Sequence, residues 1–278
     1  MKPYLDQLRN ILDYGTLKKD RTGIGTLSCF GFQARYNMDD GFPAITTKRL
    51  PWKSMVSELL WFISGSNNIQ DLKEIYPFNK LWDKNYKDYL KRIGKQENNG
   101  SMGRIYGIQW RRWKGKGTSI DQLQEAINTI QNNPNCRRII VNSWNAAEIG
   151  SKDVALPPCH SFFQFYVSDR KLTLQMYQRS CDMFLGVPLN IASYSLLLHI
   201  VARITELEPG EFIHTLGDAH IYLNHMNAVK KQLTREPFPL PKLQIKNRGQ
   251  EIIDDFNLGD FTLCDYKYHS AIKAEMAV

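Results

Sequence analysis

Hydrophobic positions along the chain alternate between two periods. Leu5, Leu8 and Leu12 recur at helical spacing, and between Trp52 and Ile63 the residues Met55, Leu59 and Phe62 or Ile63 fall on one side. Both stretches predict helices packed on a flat surface. Ser119 and Gln122 form a capping-box signature ahead of Ile120, Leu123, Ile127 and Ile130, and Pro134 stops that helix. Two more helices are predicted over residues 191–206 and 219–234. Strands are predicted over residues 26–36, 137–144, 160–168, 171–179 and 242–246. In the fourth, Leu172, Leu174 and Met176 alternate with Thr173, Gln175 and Tyr177. Helices and strands mix without regular βαβ alternation, which predicts an α+β fold. No repeat or low-complexity linker divides the chain, so one domain over residues 1–278 is expected.

Composition narrows the class. Of 278 residues 42% are hydrophobic, enough for one large core. The opening MKPYLDQLRN has no apolar stretch of a secretory signal. Residues 191–204, the longest apolar run, are interrupted by Ser193, Ser195, His199 and Arg203, and read as too short and too polar to span a bilayer. A soluble, cytoplasmic protein without a membrane partner is expected. Lys and Arg number 36 against 28 Asp and Glu, and the net charge of +8 points to an anionic partner. The basic residues are spread singly and in pairs, with no basic helix, zinc-finger pattern or RNP-like aromatic run. That distribution favours small phosphate compounds over nucleic acid. Five cysteines (Cys29, Cys136, Cys159, Cys181, Cys264) are odd in number and dispersed, without a C-x-x-C pair, so neither a disulfide framework nor a metal site is expected.

A few residues carry candidate chemistry. Cys159, in Leu-Pro-Pro-Cys-His at the head of an apolar strand, reads as a buried structural thiol or as a nucleophile held at a strand end by two prolines. His160 is a poor base for it, because neighbours on a strand point to opposite faces. Guanidinium groups would favour a thiolate instead. Arg21, Arg179 and the pair Arg137-Arg138 supply such groups, either as solvated surface charges or as bidentate phosphate ligands. Two adjacent arginines on a strand cannot easily serve one site on a single face. The Gly23 and Gly25 loop is too short a glycine pattern to be a phosphate cradle alone. Asn190, at the expected helix start, is an N-cap or an amide reading a base edge that presents N–H beside a carbonyl. Glu58, inside an apolar helix, faces solvent or is a carboxyl tuned by burial.

Together these strings resemble the thymidylate synthase family over essentially the whole chain. The resemblance rests on Asp20-Arg21-Thr22-Gly23, Thr46-Thr47-Lys48-Arg49, Glu58-Leu59-Leu60-Trp61-Phe62, Leu81-Trp82-Asp83, Ile105-Tyr106-Gly107, Gln109-Trp110-Arg111, Arg137-Arg138-Ile139-Ile140 and Leu156-Pro157-Pro158-Cys159-His160. It continues through Gln178-Arg179-Ser180-Cys181-Asp182, Asn190-Ile191-Ala192-Ser193-Tyr194, Gly217-Asp218, His220-Ile221-Tyr222, Arg235-Glu236-Pro237 and Met276-Ala277-Val278.

The resemblance implies an α+β homodimer, with the sheet at its interface, that methylates C5 of dUMP. The cosubstrate 5,10-methylenetetrahydrofolate supplies carbon and hydride, and dTMP and dihydrofolate are the products. Cys159 is implied as nucleophile on C6, Glu58 as proton manager, Tyr106 and His160 as members of the C5 proton network, and Asn190 as reader of the uracil edge. Arg21, Gln178, Arg179 and Ser180 are implied on the nucleotide, Arg137 and Arg138 on its phosphate from the other subunit, and His220 and Tyr222 at the deoxyribose. Leu81, Trp82, Asn85, Leu156, Asp182, Gly186 and Ala277 are implied folate contacts, Trp82 also helping to exclude water.

Three positions depart from the commonest pattern: Arg104 where Pro is usual, Asn85 at a Trp-or-Asn position, and Ser270 after His269 where Pro is usual. They bear on folate binding and tail closure. Two alternatives remain within the resemblance: a nucleotide hydroxymethylase that admits water to the same intermediate, and a synthase that also binds RNA weakly.

Overall fold

The computed structural model describes residues 1–115 and 117–275. The N-terminal helix α1 (Lys2–Tyr14) leads through strand β1 (Thr16–Lys18) to β2 (Thr26–Asn37). Helices α2 (Trp52–Ile63), α3 (Ile69–Ile75), α4 (Asp83–Arg92) and α5 (Tyr106–Arg111) follow. A short ribbon of β3 (Trp113–Lys114) and β4 (Ser119–Ile120) precedes α6 (Gln122–Asn132) and β5 (Ile140–Asn142). The remainder is β6 (His160–Ser168), β7 (Lys171–Asp182), α7 (Gly186–Ile204), β8 (Glu208–Tyr222), α8 (Met226–Leu233) and a hairpin of β9 (Lys242–Ile245) with β10 (Phe261–Cys264).

Six strands make one mixed sheet in the order β1-β2-β8-β7-β6-β5, so the α+β expectation holds. All pairs are antiparallel except β7 with β8, which run parallel and are joined through α7 as a βαβ unit. The pairing sets Ser180 beside Asp218 and Asp182 beside His220. Helix α7 packs on both parallel strands. On this face Phe163, Phe165, Leu172, Leu174, Met176 and Phe212 are buried, with Tyr194 of α7 stacked on Phe212. The opposite face carries Ile140, Phe162, Tyr166 and Gln175, which stay exposed, Tyr166 at 64%.

Several boundaries depart from the sequence pattern. The capping-box reading gives way to Asp121, whose Oδ1 accepts from Gln124 N at 3.0 Å. Ser119 is in the ribbon, and Gln122 Nε2 ties α5 to β5 by donating to the carbonyls of Gln109 and Asn142. The strand expected over 137–144 contracts to three residues. The helix expected from 219 begins only at Met226, because Ala219 and Ile221 stay in β8, buried between two strand partners. That central strand was absent from the periodicity reading.

Helix α7 starts at Gly186, five residues before the expected 191, because Pro188 falls in the first turn, where its missing N–H costs nothing. At 19 residues α7 is long and apolar enough, by composition, to cross a membrane, contrary to the estimate from residues 191–204. Most of it is buried against the sheet, so its apolar character belongs to the core.

Truncating a fully buried aromatic leaves a cavity, so Phe165→Ala is expected to reduce the unfolding free energy by about 3–5 kcal/mol in urea titration. Phe78, 74% exposed, serves as the comparison. Phe78→Ser should change it by less than about 0.5 kcal/mol.

Candidate active site

Cys159 sits just ahead of β6, and its carbonyl accepts from Arg179 N of β7 at 2.9 Å. The Arg179 side chain grips the same loop: Nε donates to the Pro158 carbonyl at 2.8 Å and Nη2 to the Pro157 carbonyl at 2.9 Å. Nη2 also lies 3.8 Å from Cys159 Sγ, and the guanidinium stacks 5.1 Å from the Trp144 ring. Tyr106 Oη accepts the Cys159 backbone N–H at 2.8 Å. Cys159 is partly accessible yet densely surrounded, and packing pushes its thiol up. Arg179, Tyr106 and Arg21 oppose that shift. The thiol is thus protonated at rest, with its stabilising cation already in place.

A register shift between His160 and Phe162 puts Ser161 into a bulge, so His160 and Ser161 are both buried. His160 is thereby fixed against Tyr106 and Tyr194, with ring centroids 5.0 and 5.2 Å away. Burial pushes its imidazole down to about 4 against the hydrogen-bonding Asn190 side chain, so it is neutral and unfit to take the thiol proton. Asn190 is the fifth residue of α7, whose N-cap is Leu185, so the N-cap alternative is excluded. Its Oδ1 accepts from Gln178 Nε2 at 3.1 Å, and Gln178 Oε1 accepts from His214 at 2.9 Å.

Glu58 projects from α2 and accepts a hydrogen bond from Trp82 Nε1 at 2.6 Å. The residue keeps some accessible area, but its carboxyl is densely packed, and desolvation raises it to about 7 despite the Trp82 bond. The solvated alternative therefore fails, and Glu58 exchanges a proton near neutrality. Trp82 is buried among Trp61, Phe62 and Tyr106, which fix its indole.

Asp182, ending β7, accepts from Phe184 N and Leu185 N through Oδ1, while its Oδ2 has no hydrogen bond among the described residues. A Cβ on Gly186 would stand 3.6 Å from Asn190 Oδ1 and 3.7 Å from Asp182 Cβ, so the glycine keeps space open between amide and carboxylate. His220 is held by Asp218 at 3.1 Å and packs on Tyr222. Tyr222 is raised to about 12 by burial, then by Asp182 and Asp20, with Arg21 opposing; Cys159 adds a smaller push. These influences gather Arg21, Asp182, Tyr222 and Cys159 in one neighbourhood. Ser180 is half-buried beside Asp218, and Leu81, Asn85 and Leu156 are half-buried. Arg137 and Arg138 are exposed just before the edge strand β5 and have no carboxylate partner among the described residues. Ala277 and the tail 276–278 lie outside the described residues.

Two of the three departures, Arg104 and Ser270, are absorbed locally. Arg104 pairs with Glu148 at 2.7 Å and donates to the Arg112 carbonyl, and Ser270 accepts from Arg235 through its carbonyl at 2.7 Å. Sequence reasoning gave no role to three buried groups. Lys48 donates to the Phe184 carbonyl and lies over the Phe184 ring, its ammonium lowered to about 8 by burial. His225 lies 4.0 Å from Asp182 Oδ1 and hydrogen-bonds the Glu275 carbonyl at 2.7 Å, linking the segment before the tail to the site. His214 is the third. Only the quoted Thr-Thr-Lys string marked any of them.

A family sequence model described as thymidylate synthase matches residues 2–278. The chain belongs to that family, whose members are methyltransferases.

Glu58 also sets a stability trend. Its carboxyl rises from 4.5 unfolded to about 7 folded, so between those values the native state binds more protons and stability falls as pH rises. Glu58→Gln is expected to be more stable than the parent at pH 8 by roughly 1–3 kcal/mol, the advantage shrinking to nothing by about pH 4.5. Denaturant titrations across that range measure the trend.

Proposed function

We propose that this member of the thymidylate synthase family converts dUMP to dTMP using 5,10-methylenetetrahydrofolate. The observation that carries the reading is the joint placement of a Cys159 thiol facing Arg179 and an Asn190 amide with a fixed polarity. Attack of the thiolate on C6 forms an S–C bond, and the C5–C6 electron pair moves toward O4, where the Asn190 amide donates. C5 then has the electron density to take a one-carbon unit. The reduced folate supplies that carbon and the hydride. Asp182 Oδ2, the gap kept by Gly186 and the Trp82 indole fit a flat, hydrogen-bonding pterin with an apolar face. Tyr106 and Glu58 manage the C5 proton, Glu58 being poised near neutrality.

Packed aromatic walls around Trp82 favour hydride over water at the methylene stage. Product analysis decides between them. Mass spectrometry should show dTMP formed one for one with dihydrofolate absorbance. A main product of 5-hydroxymethyl-dUMP with no dihydrofolate would make the protein a hydroxymethylase.

The exposed face of the sheet and the exposed Arg137 and Arg138, without a carboxylate partner among the described residues, support a homodimer in which this pair reaches the partner's nucleotide phosphate. Cys159→Ser should retain dUMP binding with turnover below about 1%, a loss of at least ~3 kcal/mol. A double Arg137→Ala, Arg138→Ala variant should lose turnover through weak nucleotide binding. Mixed and refolded together, the two should regain activity, because each mixed dimer contains one intact site. No recovery would leave the pair outside the partner's site.

A further inference from the structure

Behind the Asn190 amide runs a hydrogen-bond chain with a direction. His214, fully buried on β8, donates from Nε2 to Gln178 Oε1 at 2.9 Å. Gln178, buried on β7, gives one amide proton to the Ser180 carbonyl at 3.1 Å and the other to Asn190 Oδ1 at 3.1 Å. Asn190 therefore has Oδ1 engaged from behind by Gln178, and its side chain also bonds the buried, neutral His160.

Each junction joins a donor to an acceptor, so turning one amide through 180° forces the next to turn as well. The chain has two polarities only. In the observed one, the amide offers N–H where uracil presents O4 and an oxygen lone pair where uracil presents N3–H. In the reverse one, His214 Nε2 accepts, Gln178 points its oxygen at Asn190, and Asn190 exchanges its nitrogen and oxygen. That swapped amide is complementary to cytosine, whose amino group donates and whose N3 accepts.

We propose that His214 is a positioning residue for base selection: its Nε2–H fixes the Gln178 amide and, through it, the Asn190 amide in the polarity that takes uracil and rejects cytosine. The inference rests on the nucleotide reading given above. Two features oppose reversal. Gln178 Oε1 would be turned onto the Ser180 carbonyl, setting oxygen against oxygen. His214 would also carry its proton on Nδ1, a buried atom with no partner, where a bare lone pair costs less than an orphaned N–H. Burial, together with nearby His160, holds the imidazole down to about 3, so it has a single N–H to place. Phe212, 5.4 Å away, packs against the ring.

The test is the ratio of kcat/KM for dUMP to that for dCMP, with the ratio of the two dissociation constants beside it. His214→Leu should lower both ratios about tenfold or more. His214→Gln, which keeps an N–H near the Nε2 position, should restore most of the preference. A purely structural role would depress both nucleotides together and leave the ratios alone, and that result in folded His214→Leu overturns the proposal. Nitrogen NMR of the parent protein gives a second reading that needs no variant. An Nε2–H tautomer at His214 supports the proposal, and an Nδ1–H tautomer overturns it even if His214→Leu does not fold. Turnover of dUMP by the parent separates the two levels: with it present, an unchanged ratio defeats only the relay. A parent without preference for dUMP over dCMP defeats the base reading and the relay together.

Discussion

The contact on which the site depends is the grip of Arg179 on the loop that carries Cys159. One side chain and one backbone amide bind three successive carbonyls, of Pro157, Pro158 and Cys159. The two prolines leave that loop with fewer N–H groups for its own bonds, so its carbonyls need outside donors. A guanidinium meets the need because its donors are fixed in a plane. The same ion is also the largest influence opposing the burial that raises the thiol. Loop geometry and thiolate stability are therefore one variable here, and a lysine, with a single donating head, could not hold both.

The second level of organisation is the parallel pair β7 and β8 under α7. Antiparallel partners need only a turn, whereas this pair needs a crossover, and the crossover is the helix that carries Asn190. Gln178 and His214 come from the two strands beneath it. Three elements far apart in sequence thus converge on one amide. The bulge at Ser161 turns His160 to the buried side, where strict alternation from exposed Phe162 would have left it outside.

Much of this was legible in the chain itself. The α+β class, helix α2 with Glu58 inside it, strands β6 and β7, and the residues around Cys159 all followed from periodicity and motif strings. What escaped did so for physical reasons. Strand β8 opens on Pro-Gly and contains Gly217, which dilute a period-2 signal. Its burial on both sides by neighbouring strands, rather than any local propensity, makes it a strand. Asn190 looked like a helix start because the apolar periodicity begins at Ile191, whereas the helix starts at Gly186 with Pro188 in its first turn. Lys48, His214 and His225 act through partners 136, 36 and 50 residues away, separations at which no local pattern carries information.

The strand order also dictates when the molecule can assemble. β2 occupies residues 26–37, yet its main partner is β8, with Thr26 opposite Tyr222 and Asn37 opposite Glu211. During synthesis at 5–20 residues per second, about 10–40 s pass between the emergence of those two strands. Throughout that interval β2 has only the three-residue β1 to pair with, and α7 leaves the ribosome with its apolar surface before β8 exists to close the βαβ unit. The nascent chain thus carries an unpaired strand edge and a membrane-like helix together, the combination that chaperones recognise. Completion of the sheet waits for the last quarter of the polypeptide, and the same late closure that makes folding non-local delivers His214 and His220 to the site in a single step.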